Sequence, residues 1–133
     1  PKLFYIYDPL CGWCYGFSPV IQKFCANHAQ EMDVEVISGG MVVGSRVGPI
    51  GQVAPYIKGA YKDVEKATGI EFGKAFLDNI LEKGTAIFTS LPPSKALTTF
   101  KELAPNKQVD FASALQKGIY YFGKEPNNIE WYV

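Results

Sequence analysis

Two cysteines near the start of the chain have the spacing that disulfide chemistry requires. The tetrapeptide Cys11-Gly12-Trp13-Cys14 follows an apolar run at residues 3–7 and precedes a segment with helical periodicity. At a helix start, unpaired backbone N–H groups and the helix dipole stabilise an anion, so the pKa of Cys11 should fall below the value of about 8.5 of a free thiol. Cys14, one turn further on, can then attack a mixed disulfide formed at Cys11. The pattern predicts that Cys11 is the attacking thiol and Cys14 the resolving thiol.

A structural zinc site is one alternative use of these cysteines. Cys11, Cys14, Cys25 and His28 together have the ligand types and pair spacings of a zinc-binding module. If one helix follows Cys14, however, Cys25 lies about 16 Å from it, far outside a zinc coordination shell of about 2.3 Å. We therefore expect no metal ligands, and we interpret Cys25 as a core thiol. His28 is interpreted as a residue near a helix C-terminus, with no catalytic role.

Four residues beside the cysteines are candidates for supporting roles. Asp8 and Pro9 favour a turn just before the redox pair, and the alternative for Asp8 is a proton acceptor that serves the second cysteine. Gly12 and Trp13 should adjust the redox potential by changing how well the reduced form is stabilised. Trp13 either contacts an extended substrate or packs against neighbouring loops.

The elements that must position the cysteines form a βαβ unit. Residues 3–7 and 34–37 are short runs rich in aromatic and branched side chains, which are typical of buried strands. Residues 13–29 between them have helical periodicity, with a kink expected at Pro19. Two strands joined by a helix are expected to be parallel, with a right-handed crossover.

The rest of the chain is predicted to be helical after a glycine-rich loop. A loop at residues 42–53 has no periodicity. Four apolar helical patterns follow, at 57–67 ending at Gly69, at 72–81 ending at Gly84, at 96–104 beginning after Pro92-Pro93-Ser94 and ending at Pro105, and at 112–122 ending at Gly123. A further helix, capped by Asn127 or Asn128, should begin at Ile129. The predicted organisation is an N-terminal unit at 1–41, a linker loop at 42–55 and a helical unit at 56–133.

The composition argues against several classes of partner. Thirteen basic residues balance thirteen acidic ones, so there is no net charge to attract nucleic acid or acidic lipid. No stretch approaches the roughly 20 apolar residues of a membrane span. Three cysteines do not make the disulfide framework of a small secreted domain. We expect a soluble, cytoplasmic protein without nucleic-acid or membrane partners, and a periplasmic location after removal of a signal segment is the alternative.

Residues 7–17, Tyr-Asp-Pro-Leu-Cys-Gly-Trp-Cys-Tyr-Gly-Phe, resemble the bacterial DsbA-like oxidoreductases of the thioredoxin fold, in particular their protein-disulfide isomerase branch. The resemblance extends weakly through Gly39-Gly40-Met41 and the helical patterns, which correspond to that family's inserted helical domain. It implies an α/β fold of DsbA type, with Cys11 as nucleophile and Cys14 as its resolving partner. It also implies that protein or small-molecule thiols and disulfides are the substrates, and that the redox-active disulfide of this pair is used without a metal or an organic cofactor.

Some features of that family have no counterpart in this sequence. The family closes its active site with a cis-proline loop, whereas Pro92, Pro93, Pro105 and Pro126 each border a predicted helix. The final strands of the thioredoxin fold are also not found. We expect that a start methionine or a signal peptide has been removed before Pro1 and that the protein continues after Val133. Since a two-stranded sheet is not self-sufficient, further chain or a partner should complete it.

The direction of the redox reaction and the oligomeric state do not follow from the sequence. Oxidation, reduction and isomerisation of disulfides are all compatible with the same pair of cysteines. A glutathione-dependent transferase or isomerase on the same fold is a further alternative function.

Overall fold

The chain begins with the expected parallel βαβ unit in the computed structural model, which describes residues 1–133. Strand β1 spans Lys2–Tyr7, helix α1 spans Gly12–Asn27 and strand β2 spans Asp33–Ser38. The two strands pair in parallel, with Lys2 opposite Asp33 and Tyr7 opposite Ser38. Pro19 lies inside α1 and does not end it. The redox loop, residues 8–11, therefore connects the end of β1 to the start of α1.

The segment at 42–55 is more ordered than the prediction of a plain linker loop. It holds two single-turn 3-10 helices, Gly44–Arg46 and Ile50–Gln52, with the two-residue strand β3 at Gly48–Pro49 between them. β3 pairs antiparallel with a second short strand, β4 at Ile87–Phe88. Two-residue strands carry no periodicity, so local sequence could not reveal them. The division of the chain into three units remains a prediction.

The helical part differs from expectation at several helix boundaries. Helix α2 spans Ala54–Thr68 and ends, as predicted, at Gly69, whose positive φ of 77° suits glycine. A π-helix at Ala75–Leu81 replaces the second predicted α-helix. Helix α3 spans Leu91–Leu103 and so begins before its predicted start, because prolines are tolerated in the first turn, where backbone N–H groups need no partner within the helix.

The last part of the chain consists of one long helix and a short final one. Helix α4 spans Gln108–Tyr120, after a 3-10 turn at Pro105–Lys107. Asn128 caps the final segment through Glu130, as one of the two predicted caps, but this segment is a four-residue 3-10 helix at Ile129–Tyr132. None of the helices combines the length and the apolar composition needed to cross a membrane.

Helix α1 is held between two hydrophobic clusters. The first cluster joins α1 to α2, the π-helix and α4, and its buried members include Tyr15, Val64, Phe72, Phe76 and Tyr120. The second cluster joins α1 to the sheet, α3 and α4, and its buried members include Tyr7, Ile21, Val36, Leu97 and Leu115. Because α1 packs on both sides, its N-terminus has a fixed place relative to the redox loop.

The sheet leaves one face uncovered. β1 has β2 as its only neighbouring strand. Phe4 and Ile6 point away from α1 and are 55% and 68% exposed. On α1, Phe17 and Val20 are also exposed. The uncovered face belongs to a two-stranded sheet, which was expected to need completion.

Candidate active site

Cys11 is the residue that caps the N-terminus of α1. Its backbone is extended (φ −79°, ψ 111°), as is usual for an N-cap, and its Sγ accepts a 3.3 Å hydrogen bond from the backbone N–H of Cys14. The sulfur thus takes the place that an oxygen of Ser or Asp usually occupies at a helix start. A negative charge on Cys11 is favoured there because the N–H groups of the first turn point towards it.

The surroundings of Cys11 lower the pKa of its thiol to about 6. The largest cause is a hydrogen bond from the Cys14 thiol, and the N–H groups of Cys14 and Trp13 act in the same direction. Partial burial and the negative charge of Asp8 oppose this shift. Most Cys11 side chains are therefore thiolates at neutral pH, which is the form that attacks disulfides.

Cys14 is held in the opposite state. Its pKa is raised, first because its thiol donates a hydrogen bond to Cys11 and then because it is partly buried. Both cysteines are partly exposed and neither forms a disulfide in this structure. The interaction between the two thiols thus lowers the pKa of Cys11 and raises the pKa of Cys14.

The cysteine pair lies at an open part of the surface. Trp13, between the two cysteines, is 50% exposed. The two most prominent clefts, of about 760 and 670 Å³, are lined by other residues than Cys11 and Cys14. Cys11 and Cys14 are themselves partly exposed, so a substrate can reach the pair from solvent.

Asp8 forms the turn before the redox pair and also joins separate parts of the chain. Its side chain is almost fully buried, and Oδ1 accepts hydrogen bonds from the Leu10 N–H at 3.0 Å and the Ser90 hydroxyl at 2.8 Å. Oδ2 accepts a hydrogen bond from the Met41 N–H at 2.8 Å. A buried carboxylate without a cationic partner needs such donors. The role of Asp8 as a proton acceptor remains a prediction.

Three buried side chains at the redox loop were not anticipated from the sequence. Besides Ser90, Gln116 donates to the Asp8 carbonyl at 3.2 Å, and the Tyr120 hydroxyl donates to the Leu10 carbonyl. All three come from the helical part of the chain. One signal was present, since a glutamine lies within the apolar face of the last long helix, and a buried glutamine must find hydrogen-bond partners.

The four residues of the alternative zinc site do not come together. No three His, Cys, Asp or Glu side chains are close enough to share a metal ion. Cys25 packs against the second hydrophobic cluster, and burial raises the pKa of its thiol. His28 lies at the C-terminal cap of α1 and contacts Glu31 at 3.0 Å. The continuous helix between Cys14 and Cys25 separates the two halves of the proposed ligand set.

Comparison with solved structures identifies relatives of this fold. The cytosolic disulfide reductase DsbM from Pseudomonas aeruginosa matches with a TM-score of 0.84 and 30% identity, over 99% of this chain and 60% of that one. The same protein solved with GSH matches with the same TM-score and identity, over 61% of its length. A candidate protein disulfide isomerase from Nitrosomonas europaea matches with a TM-score of 0.81 and 26% identity, over 99% of this chain and 61% of that one.

The other comparisons add no relative. No protein-family model matches the chain, and no curated protein matches it in sequence. The present chain spans about 60% of the length of the solved relatives. Over that span, the chain has the DsbA-like form of the thioredoxin fold that these relatives share.

Proposed function

We propose that the chain is a thiol-disulfide oxidoreductase that works through Cys11 and Cys14. The observation that carries this proposal is the placement of the Cys11 sulfur at the N-cap of α1, where it accepts a hydrogen bond from the Cys14 N–H. The pKa of about 6 for Cys11 supports the proposal, because the thiolate is then the major form at pH 7.

The reaction consists of two exchanges. The Cys11 thiolate attacks one sulfur of a substrate disulfide, an S–S bond to Cys11 forms, and the other substrate sulfur leaves as a thiolate that takes a proton from water. Cys14 then loses its proton and attacks the Cys11 sulfur, which releases the second substrate sulfur. The substrate is reduced by two electrons, and the enzyme ends as the Cys11–Cys14 disulfide. Two external thiols return it to the dithiol and become a disulfide themselves.

The order of the two steps is favoured by the opposite pKa shifts of the two cysteines. In the reduced protein, the hydrogen bond to Cys11 is the main cause that raises the pKa of Cys14. In the mixed disulfide the Cys11 sulfur carries no negative charge and is a poor acceptor. The main restraint on Cys14 ionisation is then removed, so the resolving thiol becomes reactive once the mixed disulfide has formed.

Glutathione and protein disulfides are the substrates that we propose. A P. aeruginosa relative is named as a cytosolic disulfide reductase and was solved with GSH. The open position of the cysteine pair beside the exposed Trp13 suits a protein substrate. We propose a reducing role in the cytosol, with glutathione as the source of electrons, and isomerisation of protein disulfides as a second activity of the same pair.

Site-resolved alkylation tests the proposed function. The reduced protein is treated with iodoacetamide between pH 4.5 and 9.5, and the modified peptides are quantified by mass spectrometry. Cys11 should react with a midpoint near pH 6, while Cys14 and Cys25 stay slow below pH 8 because their pKa values are raised. If Cys11 and Cys14 react alike, with the midpoint of an ordinary thiol, the proposal fails.

Replacement of the resolving cysteine separates this function from glutathione transfer. In a Cys25→Ser background, Cys14→Ser should trap mixed disulfides at Cys11 and lose turnover of protein disulfides. Cys11→Ser in the same background should form none. A transferase that needs a single catalytic residue would keep its turnover in Cys14→Ser, and that outcome would replace the present proposal.

A further inference from the structure

Two side chains of α4 hold the redox loop by its backbone. Gln116 and Tyr120 lie one helical turn apart and are 1% and 3% exposed. The Gln116 amide donates to the Asp8 carbonyl at 3.2 Å, and the Tyr120 hydroxyl donates to the Leu10 carbonyl. These contacts cross 108 and 110 residues of sequence. Helix α4 therefore acts on the part of the loop that carries Cys11.

Both contacts converge on the peptide group between Leu10 and Cys11. The C=O of this peptide is the acceptor for Tyr120. Its N–H donates at 3.1 Å to the Asp8 carbonyl, which is the oxygen that Gln116 also holds. Helix α4 thus holds the C=O of this peptide directly, through Tyr120, and its N–H indirectly, through the Asp8 carbonyl that Gln116 binds.

The orientation of this peptide matters for the Cys11 sulfur. A buried carbonyl that loses its donor must find another. The N–H groups in the first turn of α1 have no acceptor within the helix, and they are the groups that stabilise the Cys11 thiolate, the Cys14 N–H by direct donation to its sulfur. A free Leu10 carbonyl would compete with the sulfur for them, and rotation of the peptide would also displace Cys11 from its N-cap position.

We infer that Gln116 and Tyr120 are positioning residues for thiol-disulfide exchange, because they keep the Leu10–Cys11 peptide turned away from the sulfur of Cys11. This inference rests on the proposed function. Since both side chains are buried, we assign them no contact with the substrate and no proton transfer. Their effect reaches the chemistry through the backbone of the redox loop.

Tyr120 is itself one of the titratable groups around Cys11, and its hydroxyl can donate to the Leu10 carbonyl only while it is protonated. Those groups are Asp8 in the redox loop, Cys14 on α1, Tyr5 on β1 and Tyr120 on α4. Burial raises the pKa of both tyrosines well above the ordinary range. The hydroxyl of Tyr120 consequently keeps its proton while Cys11 titrates.

The chain offers a matched pair of tyrosines for the test. Tyr120→Phe removes the hydroxyl but keeps the ring. This ring packs edge-on against Phe72 and Phe76, with distances of 5.2 and 5.0 Å between ring centroids. Tyr15→Phe removes a hydroxyl from the same hydrophobic cluster that donates at 2.6 Å to the Glu71 carbonyl, outside the redox loop. Each change deletes one hydrogen bond from a tyrosine to a carbonyl, and only the first involves the loop.

The measurement is the pH dependence of Cys11 alkylation in the reduced wild type and in both variants, with folding checked by circular dichroism. Loss of one hydrogen bond should raise the midpoint for Cys11 in Tyr120→Phe by about 0.5 to 1 pH unit. Alkylation at pH 6 should then slow about two- to fivefold. Tyr15→Phe should keep the wild-type midpoint.

The outcomes separate the inference from the proposed function. An unchanged Cys11 midpoint in folded Tyr120→Phe, or an equal rise in Tyr15→Phe, overturns the inference alone, provided that the wild type has its low midpoint. A wild type in which Cys11 has the pKa of an ordinary thiol overturns the proposed function as well. If Tyr120→Phe does not fold, Gln116→Met decides in the same way, since it keeps the side-chain volume and removes the donor to Asp8.

Discussion

The hydroxyl of Ser90 donates a 2.8 Å hydrogen bond to the buried carboxylate of Asp8, across 82 residues of sequence. Ser90 occupies the N-cap position of α3, yet its side chain makes no capping hydrogen bond. Its Oγ instead accepts a 3.0 Å hydrogen bond from the Val42 N–H while it donates to Asp8. A single serine therefore connects the redox loop, the segment after β2 and the start of α3.

Removal of this serine hydroxyl should destabilise the protein. Ser90→Ala leaves the Asp8 carboxylate with one donor fewer and the Val42 N–H without its partner, so the free energy of unfolding should fall by about 1 to 3 kcal/mol. Ser94→Ala is the control. The Ser94 hydroxyl donates to the Ser90 carbonyl one turn earlier, at the start of the same helix, and such local hydrogen bonds contribute little to stability. Urea unfolding of the reduced proteins measures both. Equal losses in the two variants would contradict the role assigned to Ser90.

Neutralisation of Asp8 should change reactivity and stability in opposite ways. The charge of Asp8 is one of the causes that raise the pKa of Cys11, so Asp8→Asn should lower the alkylation midpoint of Cys11. Stability should fall, because an amide has one oxygen and cannot accept from Leu10, Met41 and Ser90 in the same arrangement. Alkylation profiles and urea unfolding of the same samples provide the two readouts. A midpoint that rises in the folded variant would show that the carboxylate acts by geometry and not by charge.

The βαβ unit and the placement of the cysteines could be predicted because their signals are local. Residues 3–7 and 34–37 carry strand composition, and the helix after Cys11 has its own periodicity over sixteen residues. The same continuity of α1 separates Cys25 from Cys14, which is why a zinc pattern in the sequence does not become a site.

The support of the redox loop could not be predicted for the opposite reason. Ser90, Gln116 and Tyr120 reach it across 82 to 110 residues, and no local pattern records which loop a buried polar group will meet. The pairing of β3 with β4 and the π-form of the helix at Ala75–Leu81 also depend on tertiary packing. Sequence reasoning pointed to the cysteines that we propose as the reacting groups, but not to the residues that hold their loop.

The stability of the reduced protein should rise with pH between about 6 and 8.5. Cys11 has a pKa of about 6 in the folded protein and about 8.5 in an unfolded chain. Between these values the unfolded chain binds more protons, so higher pH favours folding, and the gain is lost as pH falls through 6. Above about 8.5 the raised pKa of Cys14 acts in the other direction, because only the unfolded chain ionises that thiol.

The oxidised protein is the control for this pH dependence, since neither cysteine titrates when the two form a disulfide. Urea midpoints of both forms at pH 5.5, 7 and 8.5 give the comparison. The difference between the reduced and the oxidised midpoints should change with pH as described. Parallel profiles would mean that Cys11 is not acidic in the folded state.

Trp13 should contribute to the handling of protein substrates and little to stability. Its side chain is 50% exposed beside the cysteines, so Trp13→Ala should change the free energy of unfolding by less than about 1 kcal/mol. Exposed tryptophans often dominate protein contacts, and the rate with a protein disulfide should fall about tenfold while that with oxidised glutathione is kept. Tyr56→Ala, which removes a 74% exposed aromatic from α2, should change neither rate. Equal losses with both substrates would instead indicate that Trp13 packs the redox loop.

Two glycine-to-alanine changes should shift stability in opposite directions. A Cβ at Gly16 would lie 2.8 Å from Val64 Cγ1 and 2.9 Å from Thr68 Cγ2, both on short branched side chains of α2 that cannot move aside. Gly16→Ala should therefore push α1 away from α2 and lower the free energy of unfolding by about 1 to 2 kcal/mol, despite the better helix propensity of alanine. Gly59→Ala, where the added Cβ meets no side chain and no backbone outside its own helical turns within 4 Å, should raise the free energy of unfolding by up to about 1 kcal/mol. Urea unfolding measures both, and a stabilised Gly16→Ala would mean that α1 is free to shift and that the two hydrophobic clusters do not fix the helix start where Cys11 lies.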